Sequence, residues 1–320
     1  MAQINVISLF DGISCGNVAL NRAGISVNNY YASEIDENAM LVAKSNYPNI
    51  IQFGDVKNIT PDAIRLIPQI DLLIGGSPCT GYSRAGKHLN FADPESSLIF
   101  NYVSILDTIR KRNNRNVKFL LENVEMKTEW KNAIDALLGV EGVLVNSKLV
   151  SAQNRPRCYW TNFGVPQISD KNISLSSILE KPAITTKQLG TSPIMVDATY
   201  SQQEIDLLEY DAGNLYVKQA TKAGKIIAND GDCINLSFPT SKTRRGRVIA
   251  GKSATIDKSG NLSVYSNGVV RKLTVTELER LQTLPDGYTK ACSSINERRA
   301  MIGNGWTVDV IADILKSANF

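Results

Sequence analysis

In the first half of the chain the apolar positions fall into short runs separated by amphipathic stretches. Runs at Asn5–Phe10, Tyr30–Glu34, Ile51–Phe53, Asp71–Ile74, Lys118–Glu122 and Gly142–Val150 predict buried strands. Between them, Asn38–Ser45, Ser97–Arg110 and Lys131–Leu138 carry apolar residues at helical spacing. This alternation predicts an α/β, Rossmann-like domain, with a mostly parallel sheet and helices on both faces. Ligands of such sheets bind beyond the carboxyl ends of the strands, so chemistry is expected in the residues just after each strand.

The pattern changes after about Pro166. Residues 167–268 lack a clear period and are rich in Ser, Thr, Asn, Gly and Lys. Short β-prone pieces (Arg247–Ile249, Leu262–Tyr265) sit between turn signals such as Asn267-Gly268, which predicts a small, irregular, β-containing domain. Helical patterning returns at Leu273, with a short helix over Glu277–Leu281 and a last one over Thr307–Ser317. The chain therefore divides into 1–166, 167–268 and a return, 269–320, that completes the first domain.

With 320 residues, 43% hydrophobic and 21% charged, the chain has the mix of a globular protein that can bury a full core. No apolar run approaches the ~20 residues of a membrane helix, and the N-terminus has no basic leader, so no membrane partner and a cytoplasmic address are expected. The five cysteines form no C-x-x-C pair and His88 is the lone histidine, which argues against a metal site or a His-based triad. Net charge is only +4, but Lys242, Arg244, Arg245, Arg247 and Lys252 lie together without an acid between them. That strip suits either a phosphate backbone or a solvated loop.

Five strand ends carry candidate chemistry. Phe10-Asp11-Gly12-Ile13-Ser14-Cys15-Gly16 follows the first strand, where glycines let a ligand approach the backbone of a strand-to-helix turn. It lacks the full G-x-G-x-x-G pattern, so no pyrophosphate is implied. Glu34 ends the second strand 18 residues beyond Gly16, a distance suited to a ribose diol. Asp55, with Val56, follows the third and could take an adenine amino group. Together the three loops indicate an adenosine-type ligand. The fourth strand runs into Gly75-Gly76-Ser77-Pro78-Cys79, which sets a cysteine at the ligand edge, a place for a nucleophile rather than for core packing. The fifth ends in Glu122-Asn123-Val124, a carboxyl that can stay protonated and donate a hydrogen bond beside a nucleophile. Gln153-Asn154-Arg155-Pro156-Arg157 then opens the strand-like run Cys158–Phe163, and the alternation puts both guanidiniums on one side.

In this order, Pro78-Cys79, Glu122-Asn123-Val124 and Gln153-x-Arg155-x-Arg157 behind a Phe-x-Gly loop resemble the motifs of cytosine-5 DNA methyltransferases. The resemblance spans nearly the whole chain except about 167–268. Phe10–Ile13, Gly75–Cys79 and Trp306 are most similar to the de novo-type branch of that family and its bacterial and phage relatives. Thr80 where many members have glutamine, and Ser14-Cys15 in place of a second glycine pair, depart from the commonest pattern.

The resemblance implies methyl transfer from S-adenosylmethionine to a cytosine flipped out of double-stranded DNA. Cys79 would attack C6, Glu122 would engage N3 and the exocyclic amine, Arg157 would hold O2, and Arg155 would belong to the same catalytic set. Phe10, Asp11, Gly12, Ile13, Glu34, Ile35, Asp55, Val56, Pro78, Leu98, Asn304 and Trp306 would line the cofactor pocket. Residues 167–268 would be the target-recognition domain. Ser83, Arg84, Arg244 and Arg245 would touch DNA.

Three rivals follow from the same residues. One branch of the family modifies tRNA, but its Pro-Pro-Cys loop differs from Ser77-Pro78-Cys79. A catalytically inactive DNA-binding homologue would be expected to lose Cys79, Glu122 or the glycine loop, and all are intact. A nucleotide-cofactor oxidoreductase would leave Pro78-Cys79 and Glu122-Asn123-Val124 unexplained.

Overall fold

A computed structural model of the chain describes residues 3–78, 98–181 and 183–320. Seven strands form the main sheet: β1 (Ile4–Leu9), β2 (Val27–Ser33), β3 (Ile51–Gln52), β4 (Leu72–Gly76), β5 (Lys118–Val124), β6 (Val143–Asn146) and β7 (Pro156–Thr161). Their order is β3-β2-β1-β4-β5-β7-β6. The first five are parallel, and β7 inserts antiparallel between β5 and β6. The chain steps outward from β1 to β3 and returns to β4, so the order reverses between β1 and β4, where ligands of such sheets bind.

Strict alternation along the central strands builds two cores. Val6, Leu72, Ile74 and Leu120 face one side of the sheet; Ile7, Leu9, Leu73, Phe119 and Leu121 face the other. The first face is covered by α1 (Cys15–Arg22) and α2 (Glu37–Asn46), and the second by α3 (Pro61–Leu66), α4 (Leu98–Arg112) and α5 (Thr128–Leu138). Sheet and helices thus match the α/β expectation. The expected strand over Gly142–Val150 stops at Asn146. There the Asn146 side chain accepts from the Lys148 amide at 3.0 Å and turns Ser147–Leu149 into a short 3-10 helix.

The next segment holds β8 (Thr186–Gln188), β9 (Met195–Asp197), α6 (Gln202–Ile205), β10 (Leu208–Asp211), β11 (Asn214–Lys218), β12 (Lys225–Ala228), β13 (Cys233–Asn235), β14 (Arg247–Ile249), β15 (Ser263–Ser266) and β16 (Val269–Lys272). They make a three-stranded sheet, β10-β11-β12, and a six-stranded one, β14-β13-β15-β16-β9-β8. The chain closes with α7 (Val275–Leu281), α8 (Ile295–Asn304) and α9 (Val308–Leu315). Buried Val308, Val310, Ile311, Ile314 and Leu315 pack α9 into the same core as Val18, Ala19 and Leu20 of α1. An Arg22–Asp309 ion pair at 2.6 Å ties the two helices at the surface. Among the described residues, no helix is long and apolar enough to cross a membrane.

Candidate active site

The turn after β1 is held open for contact by its backbone. Phe10, Gly12 and Ser14 all lie in the left-handed region, at φ 57°, 57° and 63°. The Gly12 amide donates to Glu34 Oε2 at 2.7 Å, while Glu34 Oε1 accepts from the amides of Ile35 (2.7 Å) and Asp36 (2.9 Å). Three of the roughly four acceptor positions of that carboxylate are thereby used, which leaves one on Oε2 for a hydroxyl. Ile35 stands beside it with 72% of its surface exposed, an apolar side chain open to solvent. Asp55 Oδ1 accepts from the Lys57 amide at 2.9 Å and caps a 3-10 turn that buries Val56.

Asp11 is buried beneath this turn. Its Oδ1 accepts from the Tyr30 hydroxyl at 2.7 Å, and its Oδ2 is buried without a partner. Burial, reinforced by the nearby Glu34 carboxylate, raises the carboxyl to about 6 against the pull of the hydroxyls around it. Tyr288, far along the chain, donates to the Ile13 carbonyl at 2.8 Å and fastens the turn to the C-terminal return.

At the end of β4 the chain narrows to Gly76. A Cβ there would stand 2.6 Å from Trp306 Nε1 and 3.1 Å from Glu122 Oε2, so this glycine lets the indole and the carboxyl converge. Glu122 is nearly buried, and Arg157 Nε approaches its Oε1 at 3.0 Å. Strand register explains the meeting. Tyr159 is the direct partner of Glu122 across β5–β7, which sets Arg157 diagonally across on the same face. Asn123 Nδ2 donates to Ser77 Oγ (2.9 Å) and Ser77 O (3.2 Å), fixing the segment that leads through Pro78. Cys79, Ser83 and Arg84 lie outside the described residues.

Arg155 goes elsewhere than Arg157. It is buried, and its guanidinium donates to the carbonyls of Ile256 (3.1 Å), Gly303 (3.1 Å) and Gly305 (3.0 Å). Gln282 works beside it, donating to Ile302 O and Gly305 O while accepting from Thr307 Oγ1 and Gln153 Nε2. Together they fix the backbone on either side of Trp306, whereas Asn304 is exposed at the end of α8 and Leu98 is half-buried at the start of α4. Sequence reasoning missed Gln282, Thr307, Tyr288 and the role of Gly76; the Gly75-Gly76 pair at a strand end was the one available signal.

The basic strip separates into two parts. Arg244 is exposed and stacks over Phe238, its Cζ 4.3 Å from the ring centroid, while Arg245 is half-buried and donates to Ser241 O at 3.4 Å. Lys252 is half-buried, with its ammonium turned to backbone carbonyls. Its Nζ donates to the carbonyls of Lys148 (2.9 Å), Ser151 (3.0 Å) and Ile173 (2.6 Å), joining the small sheets to the main one.

The site's residues fit a nucleoside-bearing ligand: an accepting carboxylate oxygen at Glu34, exposed Ile35, and an indole over a glycine. A family model described as C-5 cytosine-specific DNA methylase matches residues 4–319. The chain is 27% identical to the Type II methyltransferase M.HaeII of Haemophilus aegyptius, over 99% of this chain and 93% of that protein. It is also 27% identical to the orphan methyltransferase M.SPRI of Bacillus phage SPR, over 84% of this chain and 61% of the phage protein. Among solved structures, the Entamoeba histolytica methyltransferase EhMeth superposes with a TM-score of 0.63 at 16% identity, over 99% of this chain and 98% of that one.

Proposed function

Since the chain belongs to the C-5 cytosine-specific DNA methylase family, we propose that it methylates C5 of a cytosine flipped out of double-stranded DNA, by way of a Cys79–C6 bond. The observation that carries this reading is the Glu122–Arg157 pair, at 3.0 Å, at the strand end that the Ser77-Pro78 segment also reaches. A carboxyl and a guanidinium side by side suit the N3, amino and O2 edge of a cytosine.

Cytosine C5 is a poor nucleophile while the ring is aromatic. Addition of the Cys79 thiolate to C6 breaks the 5,6 double bond and makes C5 enamine-like. Glu122, at N3 and the exocyclic amine, and Arg157, at O2, stabilise the charge that the ring gains. S-adenosylmethionine supplies an electrophilic methyl on a sulfonium. With the methyl passed to C5 and S-adenosylhomocysteine left behind, loss of the C5 proton to water would restore the double bond and expel the thiolate. The ring faces are reachable only for a base taken out of the duplex stack.

For the cofactor, Phe10, Asp11, Gly12 and Ile13 line the pocket, Glu34 accepts from ribose, and Ile35 packs on adenine. Asp55 and Val56 hold the adenine edge, and Pro78, Leu98, Asn304 and Trp306 close the pocket. Arg155 positions the Trp306 segment. Residues 1–166 and 269–320 form the catalytic domain and 167–268 the target-recognition domain, to which Arg244 and Arg245 contribute. Ser83 and Arg84, following Cys79, are assigned to the DNA side.

The test is incubation with S-adenosylmethionine and plasmid DNA, followed by bisulfite sequencing. We expect 5-methylcytosine in a fixed context, and none from Cys79→Ala, which should still bind S-adenosylhomocysteine in calorimetry. Turnover by Cys79→Ala near wild type would remove the covalent route. Methylation of tRNA but not of DNA would move the substrate to RNA.

A further inference from the structure

We propose that the loop joining β13 to β14 reads a guanine of the DNA, and that Arg244, seated on the ring of Phe238, is the side chain that does so. The inference rests on the methyltransferase reading above and adds a specificity-determining residue to it.

Phe238 is the unexpected residue of this loop. It lies at φ 61° directly before Pro239, although a residue preceding proline is already restricted and a bulky side chain seldom adopts the left-handed region. Its ring is 52% exposed, so little core packing repays that backbone geometry. What the geometry does is present a flat ring under the Arg244 guanidinium, at 4.3 Å. The stack fixes a side chain that would otherwise sample many rotamers, and so removes an ordering cost from binding.

The backbone around the pair is fixed as well. Ser241 Oγ accepts from the amides of Thr243 (3.3 Å) and Arg244 (3.1 Å). Gly246, at φ 57°, lies so close to β11 that a Cβ on it would stand 1.9 Å from Lys218 O. The Ala220 amide donates to Arg245 O at 3.3 Å, which seats the loop against the 219–224 turn.

Two segments distant in sequence thus form one surface, exposing Lys218, Lys222, Lys242, Arg244 and Arg247. Neither Ala212–Asn229 nor Cys233–Ile256 contains an acid. Such a surface complements a polyanion. The lysines are point charges suited to phosphates, whereas a stacked, planar guanidinium matches the O6/N7 edge of guanine. From this loop β14 leads to Ser253, whose amide donates to Ala152 O at 2.7 Å and whose carbonyl accepts from Asn154 N at 2.9 Å, next to Arg155. Even fully extended, Arg244 to Ser253 spans at most about 32 Å, close to a duplex turn of ~34 Å. The guanine is accordingly placed within about a turn of the methylated cytosine.

Bisulfite maps of plasmid DNA modified by wild type, Arg244→Ala, Arg244→Lys and Lys222→Ala test this. Melting curves and S-adenosylhomocysteine binding check that each variant is folded. We expect a wild-type context containing a guanine within a turn of the cytosine. Arg244→Ala should lose roughly 10- to 100-fold discrimination at that single position, and Arg244→Lys, whose ammonium still reaches O6/N7, should lose less. Lys222→Ala should weaken modification of all sites alike and keep the context. The proposal is overturned if Arg244→Ala keeps the wild-type context and weakens all sites alike, which would make Arg244 a phosphate contact, or if the wild-type context contains no such guanine. A wild-type protein that leaves no 5-methylcytosine on DNA would instead overturn the function itself.

Discussion

Asp11 builds a pH dependence into the turn that follows β1. Its folded carboxyl titrates at about 6, raised by burial, whereas an unfolded aspartate titrates near 3.9. Between those values the folded form keeps a proton that the unfolded form has lost, so stability falls as pH rises from about 4 to about 6 and is level above. Asp11→Asn keeps an acceptor for the Tyr30 hydroxyl and removes the buried charge. Thermal melts at pH 7 should show the variant more stable by up to about 3 kcal/mol, with no difference at pH 4. Equal stability at both values would mean that Asp11 ionises there without cost. The residue types at this site were legible because each follows a strand, but their partners were not. Alternation alone gives Arg155 and Arg157 the same side, yet one finds three carbonyls and the other a carboxylate. The difference comes from the Gly303–Gly305 backbone, which is brought there only by the C-terminal return.

At the scale of elements, convergence on Gly76 can be tested directly. Gly76→Ala would put a methyl 2.6 Å from Trp306 Nε1, so the indole must move and the Glu122 carboxyl with it. Overpacking of this kind costs about 1–3 kcal/mol, which the fold should survive. Calorimetry should then find S-adenosylhomocysteine bound on the order of tenfold more weakly, equivalent to ~1.4 kcal/mol. Unchanged affinity would separate the indole from the cofactor pocket. The central strands were readable because buried parallel strands are nearly continuous apolar runs. Other elements left weaker traces. In α8 the sequence Ile-Asn-Glu-Arg-Arg-Ala-Met-Ile-Gly-Asn buries only Met301, Ile302 and Gly303, so no apolar stripe announces it. The helix α3, which has a Thr60 cap and proline at its first turn but no periodicity, was not among those expected from the sequence. The insertion of β7 between β5 and β6 is a matter of pairing that neither strand's composition encodes.

Across the whole molecule, the last fifty residues complete a core begun by the first twenty. Buried Val18, Ala19 and Leu20 of α1 meet a helix nearly three hundred positions away, and Val308, Val310, Ile311, Ile314 and Leu315 supply the opposing surface. An apolar face over Thr307–Ser317 was visible in the sequence, and so was its need for a partner; which face of which helix received it was not, because contact at that separation leaves no local pattern. Burying five aliphatic side chains contributes roughly 2 kcal/mol each, about 10 kcal/mol together, close to the entire stability of an ordinary domain. A chain stopped after Thr307 should therefore show no cooperative thermal transition and bind no S-adenosylhomocysteine, even though every catalytic residue assigned above is still present. Ile311→Ala should lower stability by about 2–5 kcal/mol and keep a cooperative melt. A cooperative transition in the truncated chain would mean that the main sheet and its other helices fold as a unit without the return. The dependence of the turn after β1 on Tyr288 and α9 would then be one of positioning rather than of folding.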